Sequence, residues 1–400
     1  KKYKMSLPNV KTNIVGGISR STLNKDGVSG FVLYNDNIAD LTSFSATTRV
    51  IKFTNISSVE ATGITATSTN FKDEYNYLSD YFLNGGGEVW IGVFDVPAAA
   101  YDFAEVTTMQ NIAQGEIRIL AVPCGVKVLA SVDVLALDAT VAAFEVDKKP
   151  AITLYSADTG TITLGALEDL RNLSGNARNT SVVLGQDFLN YPSTVATYSV
   201  PNIGTIAGTL SQAAVNENIL NVGKYNYSIG SKMNRVALRL NDGTTDNVNI
   251  DISSIDKADL DLLNDKGYIF WRYLPNKAGT FLSNDNNAAA ITDTFNSIHI
   301  VRTKNKAFRQ VDGALSDLIG ANVLFNADGT MRPASASVYE STASRPLQTM
   351  LDAGEISAYD VYVDPTQNVF ASKTVTVEAS IIPTESSDNI IVNLSFVSSI

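Results

Sequence analysis

From Asn70 onward the apolar positions of this chain change period, and each change marks an element. Tyr75, Leu78, Tyr81 and Phe82 fall on one stripe of a helix over 72–83, which Asn84-Gly85-Gly86-Gly87 stops. A strand over 88–94 follows at once. The same reading predicts a short helix near 106–113, a strand over 117–122, a longer helix over 129–146 and a strand over 150–155. A helix over 164–173 and a strand over 180–184 complete the series. Helix–strand units joined by short connections argue for an α/β sheet with parallel strands. Two earlier strands are expected over 30–34 and 50–55.

Later elements are more mixed. Residues 190–230 are rich in small residues, with Pro192, Pro201, Gly204 and Gly208. The turn Asn241-Asp242-Gly243 between apolar runs predicts a hairpin over 233–240 and 248–252. Asp256 is placed to cap a helix over 256–266 that Gly267 ends, before a strand over 268–273. The pattern then predicts a strand over 297–303, helices over 306–319 and 336–351, and a strand over 356–363. The last stretch alternates: Val375, Val377, Ala379 and Ile381 point one way from 373 to 382, and Ile390, Val392, Leu394 and Phe396 share a face after a break over 383–389. A chain end frays unless something ties it down, and an apolar strand with no partner invites pairing with another chain. Residues 1–18, with Pro8 and a closing Gly16-Gly17, read as an extended arm. Both ends therefore point toward assembly.

Composition narrows the class. Four hundred residues are ample for a large core, and a formal charge of −11 disfavours direct nucleic-acid binding. The lysines at 1, 2, 4 and 11 read as a solvated arm. No run reaches the length of a membrane helix and the first residues lack an apolar signal core, so synthesis and folding in a cytoplasm are expected. One cysteine excludes an internal disulfide framework.

Candidate chemistry is thin. Gly85-Gly86-Gly87 lies between helix and strand, the reverse of a phosphate loop, and reads as a helix stop. Cys124, after Pro123 at a strand end, and His299, inside an apolar run, are the sole cysteine and histidine, so a Cys–His dyad has one formal chance. A packed strand histidine is the commoner reading. Asp242, Asp246, Asp251 and Asp256 lack calcium-loop spacing and fit turns and caps. Asp73-Glu74 and Glu168-Asp169 read as solvated helix faces. No catalytic, cofactor or metal site is expected, and the chain reads as a non-enzyme.

Four blocks, in order, resemble contractile tail sheath proteins. Tyr77-Leu78-Ser79-Asp80-Tyr81-Phe82-Leu83-Asn84-Gly85-Gly86 with the strand Val89-Trp90-Ile91-Gly92-Val93 is similar to the sheath helix that ends in Phe-Phe-x-Asn-Gly-Gly. Leu262-Leu263-Asn264-Asp265-Lys266-Gly267-Tyr268-Ile269 and Ile298-His299-Ile300-Val301-Arg302-Thr303 resemble two later blocks. The ending, from Val375 through Pro383-Thr384-Glu385 to Phe396, is similar to the sheath C-terminus. The chain departs from the family where Ala278-Gly279-Thr280-Phe281-Leu282 replaces Trp-Gly-Ala-Arg-Thr. The stretch Pro201 to Gly208 keeps only part of the Pro-Pro-Ser-Gly-x-x-Ala-Gly block.

The resemblance implies a mixed α/β fold: a multi-layer core with a mixed β-sheet flanked by helices, and N- and C-terminal β-arms that pair with neighbouring subunits. It implies an arm over 1–18, an N-terminal region over 19–255, a C-terminal core over 256–382, and a linker with donated strand over 383–400. The implied interaction residues are Lys4, Ser6, Val10 and Ile14 in the first arm, and Val375, Val377, Ile381, Ile390, Val392, Leu394 and Phe396 in the second. Its implied partners are copies of itself, as a helical homopolymer or stacked hexameric rings, an inner tube protein, and baseplate and terminator proteins. The implied location is a phage tail, tailocin or contractile injection particle assembled in a bacterial cytoplasm. Another self-assembling particle protein, such as a surface-layer or other tail component, is the alternative, and a doubly wound enzyme the more distant one.

Overall fold

The computed structural model describes residues 25–98, 101–184, 186–187, 202–228 and 236–387. Its first strands are β1 (Ser29–Tyr34) and β2 (Val50–Phe53), followed by the one-turn α1 (Ile56–Glu60). Helix α2 (Lys72–Leu83) has the expected bounds. It ends in a left-handed Gly85, with Gly86 N donating to Tyr81 O at 2.9 Å and Gly85 N to Phe82 O at 3.4 Å, so two orphan carbonyls are satisfied as the chain reverses. Then come β3 (Val89–Phe94), α3 (Ala104–Ile112), β4 (Ile119–Val128), α4 (Ser131–Val146), β5 (Ile152–Asp158), β6 (Thr180–Val183) and the two-residue β7 (Gln186–Asp187). Helix α5 (Ile203–Gln212) precedes the hairpin β8 (Val236–Leu240) and β9 (Val248–Asp251). Helix α6 (Lys257–Asp265) leads to β10 (Tyr268–Ile269), β11 (Trp271–Leu274) and β12 (Lys277–Leu282). The rest is α7 (Ile298–Ser316), α8 (Pro333–Asp352), β13 (Ile356–Tyr362), the short α9 (Val369–Ser372) and β14 (Glu378–Pro383).

The central sheet has seven strands in the order β10-β6-β5-β4-β1-β3-β2. All its pairs are parallel except β2 with β3, so the sheet is mixed, as expected. Its inner strands are buried on both faces: every residue of β5 is buried, and β1 carries the continuous apolar run Phe31-Val32-Leu33. Neighbouring residues in a strand face opposite ways, and β1 uses this to bind two layers. Gly30 faces Met109 of α3, while the Phe31 ring meets Tyr81 of α2 edge-on at 5.5 Å.

Helix α5 is the main element missed by periodicity. Every residue from Ile203 to Leu210 is buried, so no polar face marks it out. Gly204 and Gly208 admit α2 against its backbone: a Cβ would stand 1.9 Å from Tyr77 O at the first and 2.3 Å from Tyr81 O at the second.

Three other expectations need correction. Residues 297–303 are not a strand but the start of α7, because Asp285 receives the first N–H groups: Ile298 N donates to its carbonyl (2.9 Å) and His299 N to its carboxylate (3.2 Å). Residues 164–173 form two short 3₁₀ turns, their carbonyls at Gly165 and Leu167 bound by Lys266 Nζ and that at Glu168 by Tyr268 O–H. The expected strand over 268–273 splits: β10 extends the central sheet, and β11 pairs with β12 in a hairpin. Among the described residues no helix is long and apolar enough to cross a membrane.

Candidate assembly interface

The features that bear on assembly gather around α7. Its residues at 299, 302, 306 and 309 lie within roughly 80° of arc at about 100° per residue. This stripe is polar, with His299, Arg302 and Arg309 buried and Lys306 half-buried. Arg302 Nη2 donates to Leu210 O (2.8 Å) and Ala213 O (3.1 Å), and Nη1 to Ala214 O (3.2 Å), so a cation closes the C-terminus of α5. Burial pulls the Arg302 guanidinium down to about 10, short of neutralising it near pH 7.

Lower on the stripe lies the root of the N-terminal segment. Asp26 pairs with Arg309 and, at 3.0 Å, with Lys306, whose Nζ also reaches Glu355 Oε1 at 2.5 Å. Burial works against the Lys306 charge. The bond to Glu355 and the charge of Asp26 more than offset it, holding the ammonium above its usual range. Burial depresses the Arg309 guanidinium despite Asp26. Gly27 is locked alongside: its carbonyl accepts from Ser211 Oγ at 2.6 Å, and a Cβ would lie 1.9 Å from Ser211 O.

The C-terminal root is held from the upper end of the same stripe. The loop after α5 contributes Asn216, whose Nδ2 donates to Thr384 Oγ1 (3.3 Å), and Asn218, whose Nδ2 donates to Ser386 Oγ (2.8 Å). His299 Nε2 lies 3.4 Å from Glu385 Oε1. Three consecutive residues past β14 thus meet the body of the protein.

The opposite face of α7 is apolar. Ile300, Ala307, Phe308, Val311 and Leu315 form one wall of a groove of about 520 Å³, and Val377 and Ile381 the other. A second groove of about 670 Å³ shares Leu315 and Val377 and continues past Ile319 and Phe370. Ile319 is 80% exposed and Phe370 69%, an apolar strip that water covers poorly in a lone subunit. Beside it runs β14. Its antiparallel partner is β13, and among the described residues no strand pairs with its other edge. An unpaired edge beside an apolar groove is the geometry that accepts one more strand.

Of the expected interaction residues, Val375, Val377 and Ile381 are here. Each is half-buried against its own C-terminal layers, and Val377 and Ile381 also face the first groove. The strand expected over 373–382 is shorter, because Lys373 sits left-handed (φ 57°) at the end of α9 and pairing starts only at Glu378. Lys4, Ser6, Val10, Ile14, Ile390, Val392, Leu394 and Phe396 lie outside the described residues. Sequence reading passed over Asp26, Lys306, Arg309, Asn216 and Asn218. A helix drawn from 298 rather than 306 would have aligned the basic positions.

Elsewhere the chemistry stays structural. Asp242 accepts from Thr244 N and Thr245 N, Asp251 caps Ser253 N, and Asp256 precedes α6. Burial pushes the Cys124 thiol up, and the His299 imidazole stands against the carboxylates of Asp285 and Glu385. Among the described residues no group of three or more metal-ligating side chains converges.

The mixed seven-stranded sheet, followed by paired helices and the two-stranded β13–β14 sheet, is a fold shared with solved sheath proteins. The chain aligns with the anti-feeding prophage helical sheath in its contracted state (TM-score 0.63, 17% identity, 98% of this chain and 99% of that one). It also aligns with the sheath tail protein of Desulfitobacterium hafniense (0.53, 9%, 94% and 100%) and with that of Listeria innocua (0.51, 10%, 89% and 95%). No curated protein sequence matches it. The chain belongs to the DUF2586 family, whose N-terminal domain matches residues 7–286 and whose C-terminal domain matches 294–399.

Proposed function

We propose that this chain is the structural subunit of a contractile tail sheath, which polymerises around an inner tube and shortens to drive that tube through a target envelope. One observation carries the reading. On a sheath fold shared from end to end, the free edge of β14 and its apolar groove lie on the same helix that grips both arm roots. Residues 1–18 and 383–400 are the arms, and 19–255 and 256–382 the regions they connect. An arm strand from a neighbouring subunit adds to β14, its main-chain bonds supplying strength and its alternate side chains filling the groove. Such head-to-tail pairing generates open helices or stacked rings. Contraction is then rigid-body rotation of subunits about tethered arms. The other partners are the tube, baseplate and terminator proteins of a virion tail or injection particle. The chain performs no catalysis.

Electron microscopy of the purified chain tests this directly. Striated helical tubes are expected, and discrete globular particles under all assembly conditions would refute it. A chain ending at Ser387 keeps β14 and the groove but loses the donated strand. It is expected to fold and not polymerise; tubes of normal length from that chain would remove the arm from the mechanism.

A further inference from the structure

We infer that Asn216 and Asn218 seat the chain leaving β14 so that its own last strand is turned away from the free edge of β14, which is thereby kept for a second copy of this chain. What the second copy builds rests on the sheath reading; the choice between own strand and foreign strand rests on the seat.

The edge has a competitor close at hand. Ile390, Val392, Leu394 and Phe396 alternate as a groove-filling strand must, and they belong to the same chain that forms β14. Only residues 384–389 separate Pro383 from Ile390. A flexible connection of that size holds its ends at about millimolar effective concentration. A subunit at lower concentration would fill its own edge before meeting another, and an edge filled from within accepts no neighbour.

The seat tips that choice. Ser357 Oγ, at the start of β13, donates to Pro383 O at 3.1 Å. Asn216 Nδ2 donates to Thr384 Oγ1 at 3.3 Å and also to Gly354 O at 2.9 Å, tying the chain that leaves β14 to the chain that enters β13. Asn218 Nδ2 donates to Ser386 Oγ at 2.8 Å. Asn218 is buried, and its Oδ1 accepts from Leu220 N at 2.7 Å, which leaves the amide's donor end facing the arm. Ser386 and Ser387 line a cavity of about 780 Å³ with the loop after α5 and Arg272, and none of the residues lining that cavity lines either apolar groove. The exit path therefore runs to the α5 loop, not along the open edge. With Ser386 seated, only 387–389 are left to carry the chain back and reverse it, and a tight reversal alone takes two residues or more. Each amide–hydroxyl bond is worth a few-fold in an opening equilibrium, so the pair tips the choice by about tenfold.

Hydrogen exchange of residues 378–383 in the full chain, at a dilution where it is monomeric, tests the seat. In the natural chain the amides that β13 leaves unpaired are expected to exchange freely at that dilution and to slow only as the concentration rises. Asn216→Ala combined with Asn218→Ala is expected to slow them up to about tenfold even in the monomer, and to delay tube formation. Ending that variant at Ser387 removes the competing strand and should restore free exchange. Thr384→Val with Ser386→Ala deletes the same two bonds from the arm side, and decides the matter if the loop variant fails to fold. Edge amides that exchange alike in the natural monomer and in both variants overturn the seat, as does a natural chain already protected when monomeric. A natural chain that builds no tubes at any concentration counts against the sheath, and the monomer comparison still decides the seat.

Discussion

Single residues in this protein are constrained most where backbones touch. Gly204 and Gly208 are one helical turn apart and face carbonyls also one turn apart on α2, at Tyr77 and Tyr81. Ala at position 204 has no flexible atom to displace, only backbone. Gly204→Ala is therefore expected to cost about 1–3 kcal/mol in urea unfolding, despite Ala's better helix propensity. A smaller or opposite change would mean that the helices separate freely. Glu74 shows a different constraint. Burial raises its carboxyl from 4.5 to about 7, even though Asn35 Nδ2 donates to it at 2.8 Å. Between those values the folded chain holds a proton that the unfolded chain has released, so this site's contribution falls as pH rises through the window. Glu74→Gln keeps the acceptor and has nothing to titrate. Its urea midpoint is expected to gain on that of the natural chain from about pH 4.5 to about 7 and then level off; a constant gap would contradict this.

Among elements, α7 carries the most, because one face is polar and anchored while the other is apolar and open. Arg302 is its pivot. Replacing it with Met removes the side-chain donor from three carbonyls at the end of α5, of which only Ala214 O keeps another partner, Glu217 N at 3.1 Å, so Arg302→Met is expected to lose about 2–4 kcal/mol. Lys at the same position reaches fewer of them and should recover only part, which thermal unfolding of both variants would measure. Legibility at this scale followed packing. Helix α2 was readable to the residue because its apolar stripe alternates with solvent and a glycine pair ends it. Helix α5 and the first turns of α7 were not, because a helix buried on every side has no polar face. The β-branched run Ile298-His299-Ile300-Val301 then looks locally like a strand, and only Asp285 at its N-terminus decides otherwise.

At the scale of the whole molecule, the first and last described segments are held by side chains far away in sequence. Asp26 pairs with Arg309 across 283 positions of sequence, and Asn216 and Asn218 hold residues 168 positions away. Among the described residues the core clusters reach as far as Ile381, so a chain ending at Ser387 retains all of them. This is why the chain ending at Ser387 should unfold at a midpoint close to that of the full chain while failing to build tubes. Matched loss of stability and assembly would instead make the last residues part of the fold.

The amino-acid sequence by itself determined most of the α/β succession and the glycine stops, because each depends on a period or a turn written in neighbouring residues. The ordered sheath-like blocks were legible for the same reason. Only the tertiary structure decided that α5 is a helix, that 268–274 divides between two sheets, and that one helix, α7, meets both Asp26 and Glu385. Those outcomes depend on groups brought in from far along the chain, from 88 positions between Arg302 and Ala214 to 283 between Arg309 and Asp26, and no local pattern encodes such a meeting.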